Sequence, residues 1–166
     1  SEDTIATDNK NIEKFLAFLW DLNLQIGHSV RSINQCVSAA KEDITILTNL
    51  LETRLIVGVK SRRSQLLDRI GPQKLYSSRE FYRGKLQEQS ERYRKHGDTD
   101  YNLEPNVKEA PGGLRDIQLI TWIAIYYFNV AYRSDLVTKK IFLEDEYQRL
   151  YQDEEFLWRV RYGLHI

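Results

Sequence analysis

Apolar residues recur at helical spacing along most of this chain, and the breaks between the periodic runs outline its elements. Ile12, Phe15, Leu16, Leu19 and Leu22 fall three or four apart and predict an amphipathic first helix. Leu24, Ile26, His28 and Val30 then alternate with Gln25, Gly27, Ser29 and Arg31, the period of a short strand. Ser32 or Asn34 can cap a following helix through Cys36, Val37 and Ala40. Between Asp43 and Val57 two patterns overlap. Ile44, Leu47, Leu50, Leu51 and Leu55 suit a helix, whereas Ile44-Thr45-Ile46 and Leu55-Ile56-Val57 suit strand ends. We read a helix, stopped by Gly58.

Beyond Arg62 the pattern is charged and helical. One helix runs to about Ile70, where Gly71-Pro72 breaks it; another runs from Ser78 to about His96. In the second, Phe81, Tyr82, Leu86, Gln89 and Tyr93 mark an inner face. Arg79, Arg83, Lys85, Glu88, Glu91, Arg92 and Arg94 form a mixed-charge solvated one. Leu114 to Tyr132 is apolar nearly all round, which predicts a helix surrounded by others. Leu143, Tyr147, Leu150, Tyr151, Leu157, Val160 and Leu164 mark a last helix. The expected fold is mainly α: a helical bundle over residues 59–166, preceded by a small α/β remnant over 1–58. An edge strand at Gln25 to Arg31 without its neighbours would invite self-association or local disorder.

A length of 166 residues allows one domain with a core, or one domain plus part of another. With 42% apolar and 29% charged residues the chain is globular, not a disordered tail. Cations and carboxylates balance at 24 each, which argues against a nucleic-acid or membrane-surface role. The single cysteine, Cys36, excludes an internal disulfide and fits a reducing, cytoplasmic setting. The apolar run from Ile117 to Tyr132 is too short and too interrupted to span a membrane. There is no methionine, and the last helical pattern runs to Ile166 without a capping glycine, so an excised piece of a longer protein is expected.

Chemistry concentrates between residues 102 and 118, where two prolines, two glycines, two cations and three carboxylates separate two helical patterns. Pro111-Gly112-Gly113 predicts an ordered turn that brings backbone close to a ligand. Leu114 opens the next helix, whose first N–H groups have no intrahelical partner and favour an anion, with Lys108 and Arg115 adding charge. The alternative is an ion-pair network of Lys108, Glu109, Arg115 and Asp116 that clamps the loop to the bundle. Asp98-Thr99-Asp100 has the form of a magnesium-holding pair but lacks a preceding Gly-Ser strand-turn. His28, His96, His165 and Cys36 lack the spacings zinc prefers, and His28 reads as a half-buried, hydrogen-bonded residue.

The string YNLEPNVKEAPGGLRDIQ (residues 101–118) resembles the signature of bacterial bifunctional uridylyltransferase/uridylyl-removing enzymes, which modify the PII nitrogen-signal protein. LWDLNLQIGHSVRS, EDITILTNLLETRLIVG and DEEFLWRVRYGLHI resemble the same family in the same order. Gly-Gly-Leu-Arg-Asp alone is also similar to the helical part of glutamine synthetase adenylyltransferases. The resemblance implies transfer of UMP from UTP to a PII tyrosine with magnesium, and the reverse removal, in a cytoplasmic parent enzyme. It places this chain at the end of the transferase domain plus the helical segment behind it. The family's Gly-Ser and Asp-x-Asp elements lie upstream; its His-Asp hydrolase domain and glutamine-sensing modules lie downstream. The chain itself is therefore expected to be inactive.

Within the match, Ser29 and Arg31 would lie near the edge of the transferase cleft. Thr48, Glu52 and Arg54 could share a polar helix face. The third metal carboxylate of such transferases would be Asp43 or Glu52. Asp43 is preferred for its place at an element's start, where it serves equally well as a helix cap. Asn106, Lys108, Glu109 and Arg115 are the nucleotide-binding candidates of the helical part. The rival reading is a non-catalytic helical module that docks PII or a neighbouring domain through Arg79 to Arg94.

Overall fold

The computed structural model describes residues 2–24, 26–95, 106–130 and 133–164, with backbone alone for 2–9. It divides into two compact units, Ser1–Ser32 and Ile33–Ile166. The first holds helix α1 (Glu2–Asp21). The second holds α2 (Ile33–Glu42), α3 (Ile44–Leu51), α4 (Lys60–Ile70), α5 (Ser78–Lys95), α6 (Leu114–Phe128), the short α7 (Asp135–Thr138) and α8 (Glu144–Leu164). The architecture is mainly α, and the described residues include no strand.

The alternating stretch before α2 corrects one expectation. Residues 26–32 are irregular and mostly exposed, so the predicted strand is not formed. Extended backbone needs a neighbouring strand to take its N–H and C=O groups, and the described residues supply none. Self-association through such an edge loses its premise. His28 is exposed, with the Trp20 ring edge-on at 5.7 Å between centroids, so it is not the half-buried residue expected.

In the second unit α2, α3 and α4 pack on one another, α3 meets α5, and α6 packs against α5, α7 and α8. Val37, Ala40, Leu47, Leu66, Ile70, Phe81 and Tyr126 form one core cluster; Ala124, Val130 and Leu136 form a smaller one. Thus α2 and α3 share a core with the helices beyond Gly58. The ambiguous run from Asp43 to Val57 is a helix, but a shorter one than expected. It ends at Leu51, with Glu52 at its C-cap.

Other details of α5 and α6 position the cleft described below. Gly84 lets α3 come close: a Cβ there would sit 2.7 Å from Ile44 Cδ1. Such a contact offsets the roughly 1 kcal/mol that a mid-helix glycine costs relative to alanine. Ser77 and Glu80 form a reciprocal cap at the start of α5. Ser77 N–H donates to the Glu80 carboxylate at 2.7 Å and Glu80 N–H donates to Ser77 Oγ at 3.2 Å. α6 stops at Asn129, which takes the left-handed conformation with φ 50°. Its far side is open: Ile120, Tyr127 and Phe128 are exposed, so α6 is not enclosed all round, and Tyr82 beside it is also exposed.

Tyr126 ties α6 to the turn before α5. Its ring stacks on Phe81 at 3.9 Å, and its hydroxyl donates to Tyr76 O at 2.9 Å while accepting from Tyr76 N–H at 3.3 Å. Burial pushes its phenol above the usual range. Tyr126→Phe should leave both Tyr76 backbone groups unsatisfied in the core and cost about 1–2 kcal/mol. Urea denaturation of the variant measures this; a midpoint equal to wild type would show that the hydroxyl contributes nothing.

Candidate functional site

Helices α3, α5 and α6 border an open cleft of about 750 Å³, which the loop before α6 completes. Three segments distant in sequence meet here. α3 contributes Thr45, Thr48 and Asn49. α5 contributes Lys85, Glu88, Gln89, Glu91, Arg92 and Lys95. Glu109 and Arg115 enter from the loop and the start of α6, and Leu119 and Trp122 follow. Four cations face three carboxylates, an arrangement that can receive an anionic group through side chains.

The loop is built on its own hydrogen bonds. Asn106 Oδ1 accepts from Glu109 N–H at 3.0 Å, a local turn that starts it. Gly113 N–H donates to Ala110 O at 2.9 Å, Leu114 N–H to Val107 O at 2.9 Å, Arg115 N–H to Lys108 O at 3.0 Å and Asp116 N–H to Gly113 O at 3.0 Å. The N–H groups that open α6 are therefore all satisfied internally. The expectation of an anion on these N–H groups is corrected, because loop carbonyls already occupy them. Glycine is needed at the turn for the same reason. A Cβ on Gly113 would lie 2.6 Å from Val107 O and 2.9 Å from Ala110 O, and Gly112 has φ +74°. The close approach foreseen for a ligand is made by the loop's own backbone.

Asp116 gathers this loop and α5 onto α6. Its carboxylate accepts from Gln89 Nε2 at 3.0 Å, from Gly112 N–H at 2.8 Å, from the Arg92 guanidinium and from the Tyr93 hydroxyl. Burial opposes its charge, but the hydrogen bonds from Tyr93, Gln89 and Gly112 and the Arg92 charge outweigh burial. Its carboxyl is held below the usual aspartate value. Burial, then the Asp116 charge and hydrogen bond, push the Tyr93 phenol up. Glu109 behaves like Asp116: burial opposes ionisation, but Lys108 at 3.2 Å and Arg115 at 3.6 Å win and lower its pKa.

The structure sorts the candidate residues. Arg115, Glu109 and Thr48 line the cleft. Thr48 is buried, and its hydroxyl donates to Ile44 O at 2.8 Å. Asn106 shapes the loop and Lys108 pairs with Glu109, but neither is among the residues lining the cleft. Asp43 is the N-cap of α3, its carboxylate accepting from Thr45 N–H at 2.7 Å, and it stands outside the cleft. Glu52 and Arg54 lie beyond the end of α3, so no polar helix face joins them to Thr48; Glu52 instead accepts from Trp122 Nε1 at 2.5 Å. Ser29 and Arg31 are exposed in the irregular segment of the other unit. Asp98, Asp100, His96 and His165 lie outside the described residues.

No group of three His, Cys, Asp or Glu side chains able to hold a metal occurs among the described residues. Asp43 and Glu52 each accept one hydrogen bond, from the Thr45 N–H and the Trp122 indole. Lys85, Glu88 and Arg92, which the sequence pattern assigns to a solvated face, line the cleft together with Trp122, and none is among the nucleotide-binding candidates. Lys85 and Arg92 stand four and eleven positions after Phe81, on its side of α5, which is the signal that could have found them.

A family model described as GlnD PII-uridylyltransferase matches residues 80–166, from α5 through the loop to α8. The chain is 44% identical over 155 residues to the "Bifunctional uridylyltransferase/uridylyl-removing enzyme" of Ectopseudomonas mendocina (strain ymp), covering 93% of the chain and 17% of that relative. The enzyme of the same name from Pseudomonas aeruginosa (strain UCBPP-PA14) is 47% identical over the same shares. That of Nitrosococcus oceani is 42% identical over 165 residues, 99% of the chain and 18% of the relative. The chain thus spans less than a fifth of the length of these relatives. No solved structure matches it. Among the described residues, no helix is long and apolar enough to cross a membrane.

Asp116 and Gly113 make this site testable. Asp116→Ala removes a largely buried acceptor from four donors and strands Arg92, which should cost about 2–3 kcal/mol. Asp116 is more acidic folded than unfolded. Its contribution is therefore full above the ordinary value of 3.8 and is lost as pH falls below that through the depressed folded pKa. Denaturation midpoints of wild type should fall across that window, and those of Asp116→Asn should fall less. Gly113→Ala should destabilise by about 1–3 kcal/mol through its clash with two carbonyls, read from the same curves.

Proposed function

Because the chain belongs to the PII-uridylyltransferase family, we propose that it is the helical segment behind the transferase domain of such an enzyme, with residues 1–58 deriving from the end of that domain. The parent would move UMP from UTP to a tyrosine of PII, with magnesium, in the cytoplasm, and would remove it again. The observation that carries this reading is the match over residues 80–166, which contains α5, the loop and α6, hence most of the cleft wall. In this reading the cleft takes the phosphate-bearing part of the nucleotide. Arg115 contributes charge where negative charge grows as pyrophosphate departs. No metal-holding group of three side chains occurs among the described residues, so the metal would be held by residues outside them and no step here runs through it.

A second reading has its own observation. Tyr82, Ile120, Tyr127 and Phe128 are exposed along an apolar groove that α5 and α6 share with Phe142. Such a strip fits a docking module for PII or for an adjoining domain. Titration calorimetry of the chain with UTP and magnesium, then with PII, separates the two. Heat with UTP supports the first; heat with PII alone supports the second.

The chain alone should not transfer UMP to PII above background in a radiolabel assay, and incorporation dependent on Asp43 would overturn that expectation. In the intact enzyme, Arg115→Ala should slow transfer by roughly a hundredfold, the scale of losing one preorganised donor. It should leave the hydrolytic removal and the melting point nearly unchanged. Lys108→Ala, outside the cleft, should have a smaller effect on transfer. Equal loss of both activities with a lower melting point would assign Arg115 to the clamp alone.

A further inference from the structure

Lys85 occupies a position where packing does not require a cation. It is 1% exposed, on the side of α5 that carries the buried Phe81. Its Nζ lies 2.6 Å from Glu88 Oε2, 4.8 Å from the centre of the Trp122 ring and 5.9 Å from that of Phe81. An ammonium has three N–H donors, and only one meets a carboxylate here. The aromatic faces attract the charge but are weaker acceptors. A buried ion pair is seldom worth more than a well-packed apolar pair of the same volume. The lysine is therefore poorly explained as a stabilising element of the core.

Its partner sits nearer solvent. Glu88 lines the same cleft, is one-third exposed (33%), and divides its carboxylate between Lys85 and the Thr45 hydroxyl, 2.5 Å away. Other cleft carboxylates have partners of their own: Glu91 accepts from Gln87 at 2.9 Å and Glu109 pairs with Lys108 and Arg115. Arg115 also stands 5.7 Å from the Trp122 ring centre, so two cations flank one indole at the cleft wall.

We propose that Lys85 is a phosphate anchor of the cleft and that Glu88 is its internal stand-in, displaced when a polyphosphate enters. One carboxylate charge would be exchanged for several phosphate charges. The Thr45 hydroxyl would be freed to donate to the same oxygens, and Arg115 would meet the other end of the phosphate chain. The nucleoside identity of the ligand rests on the uridylyltransferase reading; the anion site does not.

Calorimetry of the chain with sodium tripolyphosphate, UTP and uridine, without magnesium, tests this on wild type, Lys85→Met and Glu88→Gln. Melting curves establish that each variant is folded. Wild type should bind tripolyphosphate and UTP but not uridine. Lys85→Met should weaken both by about tenfold or more, the scale of one charge-assisted hydrogen bond. Glu88→Gln should tighten both, because the competing carboxylate is gone, and this variant carries the test should Lys85→Met fail to fold. Wild type that ignores tripolyphosphate, Lys85→Met that binds it normally, or Glu88→Gln that binds it more weakly would each overturn the proposal. UTP bound equally by wild type and Lys85→Met would remove Lys85 while sparing the nucleotide reading. Tripolyphosphate binding through Lys85 with no affinity for UTP would do the reverse.

Discussion

The Asp116 carboxylate is the constraint on which the second unit's cleft depends. Four donors converge on it from α5 and from the turn ahead of α6, and each comes from a different residue. A largely buried carboxylate is held as an ion by those donors, so the geometry is cooperative. Loosening any one raises the cost of the others. The result is a fixed angle between α5 and the loop, and with it fixed places for Glu109 and Arg115. The loop's carbonyls complete the arrangement by taking the first N–H groups of α6. Backbone polarity is thereby used up in construction, and whatever the cleft binds must be met by side chains.

Those side chains are coupled to one another. Lys85 and Glu88 sit three residues apart on one helix, with the cation deep and the anion nearer solvent. α3 comes close enough for Thr45 to share Glu88 because Gly84 leaves room for Ile44. A helix contact thus sets the position of a hydroxyl, and the hydroxyl in turn moderates a charge pair. Trp122 joins the same set by donating its indole N–H to Glu52 while its ring faces Lys85 and Arg115. Packing and electrostatics are carried by the same residues here.

Periodicity made the helices legible, and it failed where a second condition decided the outcome. Leu24 to Val30 alternates correctly for a strand, but a strand exists only beside another, and residues 26–32 have none among the described residues. α3 keeps its apolar spacing past Leu55 yet stops at Leu51, where Glu52 turns away to the Trp122 indole. The mixed charge of α5 reads as a solvated face because lysine is usually exposed; only the register with Phe81 points Lys85 inward. The helix-start anion reading failed because local spacing does not show which acceptors fold back, and Val107 and Lys108 do so only through the Gly112-Gly113 turn. The family resemblance was legible because it rests on a long string, not on any geometry.

The charged residues of the loop and its neighbours differ in how far their charge is already engaged. Asp116 and Arg92 are committed to each other deep in the unit, with side chains 15% and 12% exposed. Lys108 is 43% exposed and spends its charge on Glu109. Arg115 differs from both. It is one-third exposed (33%), its contact with Glu109 is the longest of the three at 3.6 Å, and it lines the cleft. A guanidinium has five N–H donors, and Gln118 at 2.9 Å and Glu109 together leave some of them for a further acceptor. Clamping fixes where Arg115 stands, and that fixed position is what preorganised charge stabilisation requires. In this loop the clamp is what holds Arg115 at the cleft.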